Sequence, residues 1–350
     1  MKKLYTEKTP EEIRMEAEGY ENPFGLVYDD AITENKEGST TIHPIAYDLN
    51  GLKIAANLYL PAGYTEQGSF PALVVAHPNG GVKEQVAGLF GEKMADAGYI
   101  TLVFDAAYQG ASEGLPRSTD KPQNRIEDIH RAADVLLSVP GVDPERTGAL
   151  GICGGGGYTF KAIQTDKRFK AATTLSLFNT GIVRRNGFLD SQIGTIQERL
   201  QKASDARNRE AQGEVTLTPN MCELPPEEAD KMPYDLYREG YYYYGKDYPH
   251  KGSTFSFTES SLLDLMSFDA RDNADLISIP LLMIAGKDAD TLYMTEGCFA
   301  AATGTDDKEL FLVPGAHHIE TYWKPEYVEQ EAAKMQEFFD RTLKNRNQSA

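Results

Sequence analysis

The sequence has few cysteines, and their spacing excludes the structures that cysteines most often build. Cys153, Cys222 and Cys298 are the three cysteines among 350 residues, an odd number without a CxxC pair. No group of cysteines and histidines has the spacing of a structural zinc site. We therefore expect reduced thiols, as in a cytoplasmic protein, and no metal site.

Long apolar runs and an excess of positive charge are also missing. The first twenty residues are charged throughout, and no stretch approaches the roughly 20 apolar residues of a membrane helix. We expect neither a signal peptide nor a membrane partner. The net charge of −18 disfavours nucleic acid as well, because nucleic acid attracts basic clusters. The expected partner is a small-molecule substrate, and the sequence leaves open whether the chain forms a homo-oligomer.

What the sequence does contain is an alternation of apolar runs with helical patterns. Residues 71–78 (PALVVAHP) and 279–286 (IPLLMIAG) are continuous apolar runs, typical of strands covered on both faces. Asn50-Gly51 lies between two alternating segments and predicts a hairpin turn. The alternation predicts an α/β fold with a mainly parallel twisted sheet and helices on both faces.

The alternation breaks once, over residues 181–270, which are charged, rich in tyrosine and without a buried-strand pattern. We expect a helical cap here, inserted over the carboxyl edge of the sheet, where open α/β sheets bind ligands. The predicted division is an N-terminal extension over residues 1–35, a first part of the core over 36–180, the cap over 181–270, and a second part of the core over 271–350.

The segment Gly151-Ile152-Cys153-Gly154-Gly155 lies between a predicted strand and a predicted helix. It has the form G-x-nucleophile-x-G of a nucleophile elbow, with Cys153 as the nucleophile. The glycines two residues away keep side-chain bulk from the adjoining strand and helix. The free end of the helix is expected to lower the thiol pKa. A P-loop and a dinucleotide fingerprint both require glycine patterns that this segment lacks. The alternative is that Cys153 is a small buried residue in a tight turn.

Such a nucleophile needs a base and an orienting acid, which follow it in the order acid, then histidine. His318 lies in the loop after the predicted strand at 309–315 and is our candidate base; its neighbour His317 must then point elsewhere. Both histidines could instead be surface loop residues. Asp288 and Asp290, in the loop after residues 279–286, are both candidates for the acid, and spacing does not separate them.

Two backbone amides are expected to bind the oxyanion. Gly154 supplies the first, at the start of the helix. The second is expected in His77-Pro78-Asn79 after residues 71–78, where Asn79 has the first free amide because proline has no N–H. We expect His77 to be structural.

Tyrosines are the candidate substrate-binding residues. The cap contains Tyr241 to Tyr244, Tyr248 and Phe255, which would give a pocket aromatic walls with polar hydroxyls. We name Tyr242 and Tyr243 of this run, together with Tyr108 of the core. The alternative is a tyrosine-rich surface that packs the cap on the core.

With these residues in place, the chain resembles the α/β-hydrolase superfamily, and within it the dienelactone hydrolase-like branch, which uses Cys-His-Asp. The resemblance spans roughly residues 40–345 and rests on HPNGGVKEQ, FDAAYQGASEG, GICGGGGY, AGKDADTLY and PGAHHIETYWKPEYV. It implies Asp290, directly before Thr-Leu-Tyr, as the acid in preference to Asp288. Dienelactone hydrolases proper lack a large cap, so their substrate does not carry over.

The expected activity is hydrolysis of a small ester, lactone or thioester through Cys153, His318 and Asp290, with a covalent thioester intermediate and no cofactor. An alternative keeps the triad but transfers the acyl group to another acceptor, closes a ring or cleaves a carbon–carbon bond. A third hypothesis is a non-catalytic binding protein on the same scaffold. The ordered Cys, Asp and His argue against it.

Overall fold

A nine-stranded sheet forms the centre of the structure, a computed structural model in which residues 2–345 are described. Met1 and residues 346–350, the ends of the first and last predicted segments, lie outside the described residues. The strands are β1 (Tyr5–Glu7), β2 (Thr41–Leu49), β3 (Leu52–Leu60), β4 (Phe70–Ala76), β5 (Ile100–Phe104), β6 (Val142–Ile152), β7 (Ala171–Leu175), β8 (Leu281–Gly286) and β9 (Lys308–Val313).

The strands lie in the order β1-β2-β3-β5-β4-β6-β7-β8-β9. Pairing is antiparallel from β1 to β5 and parallel from β5 to β9. The helices are α1 (Pro10–Glu16), α2 (Val86–Asp96), α3 (Pro122–Leu137), α4 (Gly154–Ala162), α5 (Thr180–Asn186), α6 (Ile196–Glu210), α7 (Pro226–Ala229), α8 (Asp235–Tyr242), α9 (Leu262–Leu265), α10 (Leu292–Ala301) and α11 (Pro325–Phe339). The predicted α/β fold is confirmed.

The hairpin between β2 and β3 shows how directly a local signal sets the structure. Asn50 and Gly51 both have positive φ, 52° and 86°, as a type I′ turn requires. The register then pairs Leu49 with Leu52.

The buried run of β4 lies in the middle of the sheet, where both faces are covered by helices that pack in pairs, α2 with α11 and α3 with α4.

The N-terminal segment contributes a strand that the sequence did not indicate. β1 pairs with β2, with Thr6 opposite Ala46, and becomes an edge of the sheet. A three-residue edge strand has no detectable periodicity, which is why it was missed. The helix that follows it begins with a capping box, in which Thr9 and Glu12 bond each other's backbone N–H.

The cap region lies between β7 and β8. Its described residues form α5 to α9 with short helical turns, and the sheet gains no strand from them. The cap is fastened to the loop after β4, since the Thr254 N–H and the Ser253 hydroxyl both donate to the Gly80 carbonyl, at 2.9 and 2.6 Å. Among the described helices, none has the length and apolar character needed to cross a membrane.

Candidate active site

Cys153 sits at the junction of β6 and α4, in a strained backbone conformation. Its φ and ψ are 54° and −120°, a region that residues other than glycine rarely adopt. Strain of this kind costs about 1–3 kcal/mol and persists only where the surroundings impose it. Here the Cys153 N–H donates to the Leu175 carbonyl, while the Cys153 carbonyl accepts from Gly157 and Phe178.

The glycines on either side of the thiol are required by close backbone approach. A Cβ on Gly151 would lie 2.5 Å from the Gly155 carbonyl oxygen, and one on Gly155 would lie 2.5 Å from the carbonyl oxygens of Ala76 and His77. Real Cβ atoms do not come this close to carbonyl oxygens. Small residues at these two positions therefore let β6 and α4 meet tightly enough to force the turn.

Two backbone amides lie beside the thiol, those of Gly154 and Asn79, which are the candidate oxyanion donors indicated by the sequence. Their N–H groups lie on the side of the Cys153 sulfur and favour its thiolate, which acts to lower the pKa of the thiol. The Asn79 loop is held by its neighbour His77, whose Nδ1 bonds the Pro78 carbonyl at 2.7 Å and whose Nε2 accepts from Ala106 at 3.0 Å. Burial lowers the His77 pKa to about 3, so the ring is neutral and structural.

The thiol pKa differs from the expectation. Burial raises the pKa of Cys153 above its ordinary value, and it outweighs the hydrogen bonds from Tyr322, Gly154 and Asn79, which lower it. The prediction of a lowered thiol pKa is therefore wrong for this resting state. The thiol is only 8% exposed, and a buried thiolate loses more hydration than one helix end returns.

The Tyr322 hydroxyl lies between the thiol and the predicted base. Its oxygen lies 2.8 Å from Nε2 of His318, and the hydroxyl is near enough to the Cys153 sulfur to favour a thiolate there. Tyr322 is 1% exposed, and burial raises its pKa well above the ordinary value, so it is a neutral phenol. The sequence indicated Cys153 and His318 but not Tyr322, which lies four residues after His318 in the motif PGAHHIETYWKPEYV.

The far nitrogen of His318 contacts a hydroxyl rather than a carboxylate. Nδ1 lies 2.6 Å from the Thr291 Oγ1. The predicted contact from Asp290 is not present, because the Asp290 carboxylate accepts the backbone N–H groups of Asp235 and Leu236 at the start of α8. The N-terminus of a helix attracts a carboxylate, and here it draws Asp290 away from the imidazole. Asp288 is exposed and lies in the same loop.

Without a carboxylate partner, His318 is a neutral imidazole. The ring is 1% exposed, and burial lowers its pKa to about 3. His317 points elsewhere, as expected of the second member of the pair. Its Nδ1 lies 2.6 Å from a Glu239 carboxylate oxygen. Burial lowers the His317 pKa, but the hydrogen bond and the negative charge of Glu239 raise it, and the net shift is upward.

Two acidic residues of the cap and a histidine of the loop after β9 are close enough together to resemble a metal site. Ligand atoms of Asp235, Glu239 and His317 lie within 4.8 Å of one another. Each already has a partner: Arg238 pairs with Asp235, and Glu239 bonds His317. Ion pairs thus account for the cluster, and it provides no argument for a metal.

The thiol faces a small space with aromatic and aliphatic walls that we call the inner cavity. It encloses about 50 Å³. Its lining residues are Asn79, Cys153, Phe178, Arg184, Met221, Leu236, Tyr237, Gly240, Tyr244, Phe255, Ile319 and Tyr322. Aromatic walls from the cap were expected, and Phe255 and Tyr244 of the predicted set are among them.

The three tyrosines chosen as substrate-binding residues are not in this lining. Tyr242 is 37% exposed and donates to Asp230 on the surface of the cap. Tyr243 is buried behind the cavity, with its ring 5.5 Å from that of Tyr322. Tyr108 lies in a core loop and packs against Gly114. On a helix, consecutive side chains point in different directions, and composition does not decide which of four tyrosines faces inward.

A larger space, the outer pocket, adjoins the inner cavity beneath the cap. It encloses about 510 Å³ and shares Arg184, Met221, Tyr237 and Phe255 with the inner cavity. These four side chains form the boundary between the two spaces. The outer pocket is otherwise lined by α5, the start of α6 and the cap segment around Phe257.

The strained turn between β6 and α4, at the carboxyl edge of a mainly parallel sheet, has the position of a nucleophile elbow in an α/β-hydrolase fold. Known proteins agree with this class. Residues 50–319 match the family model described as X-Pro dipeptidyl-peptidase (S15 family). The chain therefore belongs to this family of hydrolases, although the elbow carries a cysteine where a serine peptidase would carry serine.

Close relatives extend over most of the chain. The uncharacterized protein YcjY of Escherichia coli K12 is 33% identical over 296 residues, which cover 83% of this chain and 95% of YcjY. The crystal structure of the hypothetical protein PA2218 from Pseudomonas aeruginosa has a TM-score of 0.79 and 30% identity, and covers 89% of this chain and 96% of that one. The α/β hydrolase GrgF from a Penicillium shares the fold, with a TM-score of 0.67, 21% identity, and 87% and 98% coverage.

Proposed function

We propose that this hydrolase cleaves a small ester, lactone or thioester through a covalent thioester on Cys153. One observation carries the proposal: the thiol stands on a strained elbow at the start of α4, with the N–H groups of Gly154 and Asn79 beside it. When the sulfur attacks a carbonyl carbon, the carbonyl oxygen can occupy the place where those two amides converge. Preformed donors of this kind stabilise the developing oxyanion and are typically the largest contribution to acyl-transfer catalysis.

Proton removal from the thiol runs through Tyr322. In the His318 tautomer that carries hydrogen on Nδ1, that N–H donates to Thr291 and Nε2 accepts from the Tyr322 hydroxyl. The phenol oxygen then accepts the S–H proton of Cys153 as its own proton passes to Nε2. The products of this step are a sulfur–carbon bond, an oxyanion and an imidazolium.

Collapse of the oxyanion expels the leaving group, which takes the proton from His318 by the same path and leaves an acyl thioester on Cys153. A water molecule then attacks that thioester, and His318 accepts one of its protons. The second collapse releases the acid and returns the proton to the sulfur. Thr291 holds the imidazole in the required tautomer, and Asp290 acts only indirectly, by fastening α8 of the cap.

The thioester is the substrate type with the most support. A thiolate leaves without needing a proton, whereas an alkoxide must be protonated as it leaves, so a thioester makes the smaller demand on proton transfer through Tyr322 and His318. A relative from Aspergillus aculeatus, 30% identical over 188 residues, is named thiohydrolase aneE. That match covers 54% of this chain and 58% of the relative.

Intact-protein mass spectrometry tests the proposal. The protein is mixed with p-nitrophenyl esters, lactones and N-acetylcysteamine thioesters, quenched within seconds, and searched for an acyl adduct that hydroxylamine removes. We expect the adduct on Cys153 and none in Cys153→Ala. Cys298→Ala is the matched control, since Cys298 is also a buried free cysteine but lies on α10. Turnover without any adduct, or turnover retained in Cys153→Ala, would overturn the proposal.

The size of the inner cavity favours a second candidate reaction, acyl transfer to an acceptor other than water. A space of about 50 Å³ lined largely by apolar groups is filled by the reacting carbonyl and holds little bulk water. The same panel with added alcohols and amines separates the two reactions. A ratio of transfer product to free acid above that of the uncatalysed mixture indicates acyl transfer. Ring closure by an internal hydroxyl counts as transfer.

A further inference from the structure

The inner cavity and the outer pocket differ in charge from the rest of the protein. Aspartate and glutamate make up 53 of the 350 residues, and the net charge is −18. Yet among the described residues that line the two spaces there is no aspartate or glutamate, while Arg184 and Arg199 are both present. An acidic protein has thus placed positive charge, and no carboxylate, around the space that leads to its thiol.

The two arginines are in different states. Arg199 is used by the fold: its guanidinium donates to the carbonyls of Arg184, Arg185 and Gln192. Arg184 has no ion pair and no side-chain hydrogen bond among the described residues, and its buried Nε–H is without a partner. Its guanidinium carbon lies 4.7 Å from the centre of the Phe257 ring, a cation–π contact.

A second donor in the inner cavity also lacks a partner. The Tyr244 hydroxyl is buried and makes no hydrogen bond. Unpaired buried donors are costly, about 1–3 kcal/mol each, and charged ones cost more, unless a ligand satisfies them. Arg184 lines both spaces, so a group bound to it would lie at their boundary, with the reacting carbonyl on the Cys153 side.

We infer that Arg184 binds a carboxylate of the substrate, so that the substrates are acyl thioesters or esters that carry a second, free acid group. The inference rests on the proposed function and adds the substrate class. A guanidinium presents two parallel N–H donors that match a carboxylate, and one unpaired cation matches one negative charge. A phosphate dianion would leave a charge uncompensated.

The same charge pattern argues against the substrates named in the family description. An X-Pro dipeptide is released from a peptide N-terminus, which is a cationic amine at neutral pH. Such an amine needs a carboxylate or other acceptors, and the lining of the two spaces offers arginine instead. A cationic amine next to Arg184 would be repelled, and the repulsion is stronger in a pocket than in bulk water.

The test compares two thioesters that differ only in charge. The monothioester of glutarate with N-acetylcysteamine is paired with its methyl ester, and kcat/KM is measured for the wild type, Arg184→Met and Arg185→Met. Arg185 is the matched control, since it is the next residue of α5 and is not in the lining of either space. We expect the wild type to prefer the free acid, and Arg184→Met to lose about 10- to 100-fold on the acid alone. Arg185→Met should keep the preference.

A binding measurement separates failure of the inference from failure of the proposed function. Glutarate monomethyl ester is titrated into Cys153→Ala and into Cys153→Ala with Arg184→Met by calorimetry. Binding to the first and not to the second supports the inference even if no thioester is turned over. If thioesters are hydrolysed through Cys153 but without regard to charge, or if Arg184→Met leaves both the preference and the binding unchanged, the inference is wrong while the proposed function stands.

Discussion

The two sides of the Cys153 thiol are built in different ways. On one side the Gly154 and Asn79 amides lie beside the sulfur, and both are backbone groups at the ends of buried strands. On the other side lie the side chains of Tyr322, His318 and Thr291, which come from two loops after β8 and β9. The first side follows from local chain geometry. The second depends on how loops and cap pack, and there a hydroxyl holds the place that a carboxylate was expected to take.

The largest effect expected concerns the sulfur that both sides share. Cys153→Ala should lower kcat by at least about 10³-fold, because removal of a nucleophile leaves only the residual catalysis of the surrounding donors. Cys153→Ser should remain weak, since a hydroxyl is a poorer nucleophile with a base of such low pKa. Steady-state kinetics on the best thioester measures both. A serine variant as fast as the wild type would show that the site is not adapted to sulfur.

The base side can be broken at Tyr322. Tyr322→Phe removes the only described link between the thiol and His318 and should lower kcat by about 10²-fold or more, as loss of a proton-transfer group does. His318→Gln should lose a similar amount, and the double variant little more. Tyr243→Phe is the matched control, a buried tyrosine next to Tyr322 that is not in the cavity lining. Faster turnover in Tyr322→Phe would mean that the phenol blocks direct contact between thiol and imidazole.

The backbone side can be broken at Gly155. Gly155→Ala places a methyl group 2.5 Å from two carbonyl oxygens, so the elbow must open. We expect a loss of about 1–3 kcal/mol in the free energy of unfolding, measured by urea denaturation, with an accompanying fall in kcat. Gly194→Ala is the control, because a Cβ there meets nothing within 4 Å. Equal stability of the two variants would contradict the close-approach account of the elbow.

Asp290 and Thr291 distinguish a carboxylate from a hydroxyl as the group that orients His318. Thr291→Val keeps the shape but removes the hydroxyl from His318, and should lower kcat by about three- to tenfold, the worth of one neutral hydrogen bond. Asp290→Asn should leave kcat nearly unchanged and change stability little, since burial raises the pKa of this carboxyl and offsets what its charge gains at the start of α8. A large fall in kcat for Asp290→Asn alone would restore the carboxylate as the orienting group.

The smallest effect expected is on pH dependence. A thiol whose pKa is raised by burial is protonated at neutral pH, so the rate of Cys153 alkylation by iodoacetamide should keep rising with pH to beyond pH 9. His318, with a pKa of about 3, is neutral from there upward and should add no acid limb to kcat/KM above about pH 4. Peptide mass spectrometry gives the labelling rate at each pH. A fast rate that is level from pH 6 to 8 would reveal a thiolate–imidazolium pair.

The parts of this protein that depend on neighbouring residues follow from the sequence. Asn50-Gly51 favours the tight hairpin turn, and the glycines at 151 and 155 permit the Cys153 elbow, because a Cβ at either position would meet carbonyl oxygens. Pro78 withholds an N–H and leaves Asn79 to provide the amide. Each of these is a backbone property, and backbone geometry over a few residues follows from residue type.

The contacts between distant side chains and their ionisation depend on the packed fold. Asp290 and His318 follow the neighbouring strands β8 and β9, but the N-terminus of α8 binds the Asp290 carboxylate, and Thr291 contacts the imidazole. Tyr244, rather than Tyr242 or Tyr243, lines the cavity, because consecutive side chains at the end of α8 and in the helical turn after it point in different directions. The thiol pKa rises because burial is a property of the whole fold, and a local helix end is too small an effect to reverse it.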